Sequence, residues 1–231
     1  ARSGTAPGQD VTAASAPPTP MTNVLTELSP PCVAGTPGCL YTKDDRSNRL
    51  SRDLNATIGT VLPKGMAVRP DLMAVDAGQR EPFMFGRLAG LYVASADAYD
   101  PAGHGTVSIA LSNKPTPTTC AEIGDPMKVP ATLDLKVIPA FSTTCTDHAL
   151  ADGTVAAVTV YTTSPELKSS FNWRKVMVDA RKPDGTTLHL VSNNNPPIKL
   201  TDPPTHVPAR PEPPLSGDDL LKLVQLPALR Y

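Results

Sequence analysis

From Trp173 to Ser192 the chain reads WRKVMVDARKPDGTTLHLVS, two runs of alternating side chains separated by Pro183-Asp184-Gly185. Proline presets φ and glycine takes positive φ without a Cβ clash, so the tripeptide predicts a tight turn and the runs predict a β-hairpin. If Lys182 pairs with Thr186, Val178 faces Leu190 and Ala180 faces Leu188 on one side of the ribbon. Asp179 faces His189, and Arg181 faces Thr187, on the other side, which reads as solvated. A slip of one residue would mix the two sets, so the register is strongly specified. The run TVAAVTVYT just before it predicts a neighbouring strand, and the rest of the chain is expected to be built onto this sheet.

Helical periodicity appears twice. Leu50, Leu54, Ile58 and Val61 recur at i, i+4, i+8 and i+11. That predicts an amphipathic helix over about 47–62, with Ser47 as its cap and Pro63 and Gly65 beyond its end. Near the C-terminus, Ser216 with Asp219 three residues later has capping-box spacing. Leu215 and Leu220 fit a hydrophobic staple, and Pro227 stops the helix, giving about 217–226. Further strands are expected at about 66–70 and 83–96, with a second hairpin pairing 86–98 with 106–113 around DPAGHG. The 114–150 span reads as irregular apart from a short edge strand at Thr132–Ile138 between prolines. The pattern therefore predicts an α+β fold: an antiparallel sheet of about five strands, packed by two helices and joined by long Pro-rich loops.

Composition divides the chain further. It has 27 prolines in 231 residues, more than twice the usual share. Residues 1–44 are expected to form a Pro-rich arm or linker with a small cysteine loop, and 45–231 a single α+β domain. A helix over 21–28 is a further expectation within that arm. Net charge is −1 with no basic stripe, which argues against nucleic acid. No apolar run reaches membrane-spanning length and residue 1 does not begin a signal peptide, so an anchor is expected only outside this chain.

Cys32 and Cys39 bracket a short turn-rich loop, and Cys120 and Cys145 bracket a Pro-containing insertion. Four cysteines allow three pairings, of which neighbour pairing is the simplest. Disulfides imply an oxidising compartment. The Cys-x6-Cys spacing does not suit zinc, and no metal or other cofactor is expected.

The candidate chemistry is sparse. Asp179 and His189 are the one acid–His pair the register brings together, and a cross-strand pair explains them without catalysis. His104, between two glycines, reads as an exposed turn residue. The sequon Asn55-Ala56-Thr57 falls in mid-helix and reads as a chance match. Trp173 reads as a packing anchor at a strand start. Val178, Gly185, Leu190 and Ser216 are structural.

The helix ending LPKG, the DPAGHGTVSIAL hairpin, the Cys120…Cys145 pair followed by LADGT, the strand–PDG–strand unit and RPEPPLSGDDLLKL together carry a resemblance. Over about residues 45–226 the chain resembles the extracytoplasmic domain of actinobacterial membrane proteins and lipoproteins, some of them described as anti-sigma-factor-like. The final residues depart from that pattern, in which Trp often ends the helix; here Tyr231 lies beyond Pro227. The resemblance implies a place outside the membrane and a non-catalytic role as a binding or sensing module, with a protein partner or a membrane-anchored assembly. It carries over no catalytic residue. The alternative is a structural subunit of a secreted or envelope assembly, with residues 1–44 docking on a partner; a secreted hydrolase is a weaker third.

Overall fold

In a computed structural model of the chain, the described residues are 41–70, 80–88, 90–124, 141–163, 173–194 and 210–231. The expected helix at 21–28, the Cys32–Cys39 loop and the strand at Thr132–Ile138 lie outside them.

The fold is α+β and mostly sheet. Among the described residues there are nine antiparallel strands, where about five were expected: β1 (Tyr41–Thr42), β2 (Ala67–Pro70), β3 (Gly86–Leu88), β4 (Leu91–Asp100), β5 (Gly103–Ser112), β6 (Phe141–Ala149), β7 (Val155–Thr163), β8 (Arg174–Arg181) and β9 (Thr187–Asn193). Their order is β1-β3-β4-β5-β9-β8-β7-β6, and β2 lies beside β4 beyond the end of β3.

The β8–β9 hairpin sits in the middle, and the sheet grows outward from both of its edges, through β7 on one side and β5 on the other. Its register pairs Val178 with Leu190, Ala180 with Leu188 and Asp179 with His189. The turn closes with Lys182 N–H donating to the Thr186 carbonyl at 2.8 Å, and Gly185 has φ 84°.

Two strand expectations change. The segment read as one strand over 83–96 is two. It folds back at Gly90, whose φ of 86° a side chain would strain, so the second hairpin pairs 91–100 with 103–112 rather than 86–98 with 106–113. The 114–150 span, read as irregular, contains the nine-residue strand β6, paired along its whole length with β7.

One face of the sheet carries Tyr92, Ala94, Ala96, Val107, Ile109, Leu111, Leu188, Leu190, Val178 and Val158, and it is covered by the helices. The first helix, α1 (Asp45–Thr57), continues as a 3₁₀ turn over Ile58–Thr60, somewhat shorter than the expected 47–62. Its cap is Asp44, not Ser47. Ser47 is the third helical residue and returns the bond, its Oγ accepting from Asp44 N–H at 2.8 Å. Leu50, Leu54 and Ile58 are buried in the core. Asn55 holds Phe83 from both sides, accepting from its N–H and donating to its carbonyl, so the sequon asparagine is engaged in packing.

A short helix, α2 (Cys120–Ile123), precedes β6, and α3 (Gly217–Val224) closes the chain. In α3 the Ser216–Asp219 capping box is made on both sides, and Leu215, Leu220, Leu223 and Val224 are buried against β7–β9. Among the described residues no helix is long and apolar enough to cross a membrane.

Candidate functional site

Among the described residues, polar side chains gather at several places outside the main core, three of which hold a histidine or a buried lysine.

The first is at the tip of the central hairpin. The β8–β9 turn, the β6–β7 turn and the residues after α3 meet around an opening of about 230 Å³, lined by Asp152, Lys182, Pro183, Asp184, Gln225 and Arg230. Both aspartates hold their own turns, Asp152 accepting from Thr154 N–H at 3.0 Å and Asp184 from Thr186 N–H at 2.9 Å. Arg230 lies 3.6 Å from Asp184, and Tyr231 N–H donates to the Thr186 hydroxyl. Lys182 is only 6% exposed, and its Nζ donates to the Leu226 carbonyl at 3.0 Å, capping the end of the α3 segment. Burial pushes its ammonium down to about 8, with Asp184 and Asp152 pulling upward and Arg230 downward. The opening is small and mixed in charge, which suits a single polar side chain or chain terminus better than a drug-sized molecule.

The second lies on the other face of the sheet. His189 Nδ1 and Asp179 Oδ1 are 2.6 Å apart, and the pair is buried rather than solvated, with His189 2% exposed. The solvated reading fails because this face has apolar residues of its own: Tyr161, Met177 and Val191 form a second buried cluster beside the pair. The positions directly opposite the pair in the adjacent strands are Ala157 and Ala110, with Ser108 and Ser112 on either side of Ala110 on the same face of β5. Lys175 Nζ lies 4.6 Å from the Tyr161 ring centre and 5.4 Å from that of Trp173. Trp173 is thus half-buried under a cation at the start of β8. Burial lowers the Lys175 ammonium, and burial together with Asp179 raises the Tyr161 phenol.

The third joins β2 to the β4–β5 hairpin. Asp97 is fully buried; its Oδ2 accepts from Arg69 Nε at 2.6 Å and lies 3.3 Å from His104 Nδ1. His104 stacks on Tyr99 with ring centres 5.9 Å apart. It is therefore a half-exposed member of a polar cluster with Arg69 and Asp97 and not a free turn residue.

Cys120 and Cys145 are bonded, tying α2 to the exposed edge strand β6. Cys120 N–H also donates to Asp147 at 2.7 Å. Among the described residues, no three of His, Cys, Asp and Glu gather to hold a metal ion.

Sequence reading missed Lys182, Asp152, Arg230, Asp97 and Arg69. Asp97 left a signal: it is the one acid inside the apolar run LYVASADAY, where burial requires a partner. Lys182 left none, since a lysine before a turn ordinarily reaches solvent. Comparison of the chain with family models, with curated proteins and with solved structures finds no match.

Proposed function

We propose that this chain is a non-catalytic binding or sensing module that works outside the cytoplasmic membrane, within an actinobacterial type of cell-envelope protein. The observation that carries the reading is the Cys120–Cys145 bond on an exposed strand. A disulfide open to solvent persists in an oxidising compartment and is reduced in a thiol-buffered cytosol. The resemblance over residues 45–226 supplies the envelope context. Two features support binding over turnover: the small mixed-charge opening beside Lys182, and the burial of the Asp179–His189 pair as a tie between two neighbouring strands.

The test is location. In native cells, an antibody to the folded domain should label intact cells, and the protein should co-purify with an envelope protein at fixed ratio. Labelling only after the membrane is opened would overturn the reading. The second reading, a structural subunit of an envelope or secreted assembly, draws support from the long polar edge of β6. It would require the protein to migrate only within a large complex.

A further inference from the structure

We propose that Lys182 is a covalent capture site: its side-chain amine takes small uncharged aldehydes, as an imine, through the opening at the tip of the central hairpin.

Three segments build that opening: 150–154 between β6 and β7, 182–186 between β8 and β9, and 225–231 after α3. Each is pinned by its own backbone bonds. Leu150 N–H donates to the Thr154 carbonyl, Lys182 N–H to the Thr186 carbonyl, and Leu229 N–H to the Leu226 carbonyl. Leu226 and Leu229 are themselves buried, so the wall that holds Lys182 is part of the core.

A lysine beside a turn ordinarily carries its amine out to water. Lys182 does not: it lines the opening yet is only 6% exposed. Among the described residues its Nζ has one hydrogen-bond partner, the neutral Leu226 carbonyl at 3.0 Å, and no carboxylate in ion-pair contact. A buried ammonium without a counter-ion is costly, and lysine answers by giving up its proton. Burial accordingly brings Lys182 down to about 8. The neutral amine keeps the observed geometry. One N–H still donates to Leu226, and the lone pair is left for the opening.

The surrounding charges favour the product. Asp152 and Asp184 each commit one oxygen to a backbone N–H of their own turn, and both attract positive charge at Nζ, whereas the mostly exposed Arg230 opposes it. A protonated imine still carries a positive nitrogen and one N–H. It therefore keeps the Leu226 bond and the attraction of both carboxylates. The same two carboxylates repel an anionic carbonyl compound, which is why the partner is uncharged. An opening of about 230 Å³ admits only a few heavy atoms, taking about 30 Å³ for each, the share of a water molecule.

The step needs no oxidant or reductant. The amine lone pair attacks the carbonyl carbon and forms the N–C bond. The carbonyl π pair moves to oxygen, which takes up a proton given off by the nitrogen. The hydroxyl then leaves with the second nitrogen proton as water, and the C=N bond remains. This chemistry is indifferent to compartment, so it can hold or fail separately from the envelope reading.

The whole chain, disulfide intact, is treated with propanal and cyanoborohydride at about pH 7, and the alkylated lysines are located by peptide mapping. With a value of about 8 against the ordinary 10.5, about one Lys182 amine in ten is neutral there, against about one in three thousand for an ordinary lysine. Lys182 should react at least about tenfold faster than the exposed Lys43, Lys64 and Lys222, part of the advantage being returned through its weaker basicity. Naphthaldehyde, whose fused rings exceed the opening, should label those three and spare Lys182. In denaturant both preferences should vanish. The proposal is overturned if propanal labels Lys182 no faster than the exposed lysines, if naphthaldehyde labels it equally well, or if its preference survives unfolding.

Discussion

Lys182 shows how one side chain can belong to two levels of structure. Its backbone closes the hairpin turn, and its amine caps the residues after α3. Because its folded-state value falls to about 8 from 10.5, the unfolded chain binds more protons between those limits. Stability should therefore rise with pH across that window, by at most about 3 kcal/mol. Lys182→Met should flatten that rise in denaturant titrations at pH 7.5 to 10 (approximate bounds of a practical scan). Leu190 is a simpler case. It is fully buried opposite Val178, and Leu190→Ala should cost about 3 kcal/mol in the same titrations. The apolar face of the hairpin was legible because period-two alternation in both runs agrees on one register. The burial of Asp179 and His189 was not, because alternation reports which residues share a face and not whether that face is covered.

At the scale of elements, the ends of the helices carry most of the local specificity. Asp44 accepts from Ser47 N–H and from the Tyr92 hydroxyl, joining α1 to β4. Burial alone would raise its carboxyl, but these bonds and nearby Arg87 outweigh that and hold it below the ordinary 3.8. Its contribution is therefore present above that value and lost as pH falls through the lower folded-state one. Asp44→Ala should destabilise the fold by about 1 kcal/mol at neutral pH, read as a lower melting temperature, with the difference from the parent shrinking in acid. The cap at Ser216 was readable because its partner Asp219 falls at the required spacing. The one at Asp44 was missed because both Asp44 and Ser47 are competent caps, and the reciprocal Asp44–Ser47 bonds that choose between them are seen only in the structure. Strand β6 was missed for a different reason. An edge strand exposed on both faces needs no apolar alternation, so Ser142–His148 reads like a loop; its threonines were the remaining signal.

For the whole molecule, the decisive link is the one between β5 and β9, which joins a hairpin near residue 100 to one near residue 185. No local pattern announces such a pairing, and it joins the two hairpins into one sheet. The Cys120–Cys145 bond spans 25 residues and ties α2 to the far edge of that sheet. Replacing both cysteines by alanine should cost about 3 kcal/mol, measured by thermal unfolding, the loop-closure entropy of a loop of this length. The same bond is the foundation of the functional reading. Non-reducing peptide mapping of the protein recovered from its own cells under rapid thiol capping tests it most directly. The expected result is a linked Cys120–Cys145 peptide in nearly all molecules; recovery of both cysteines as capped free thiols would contradict it.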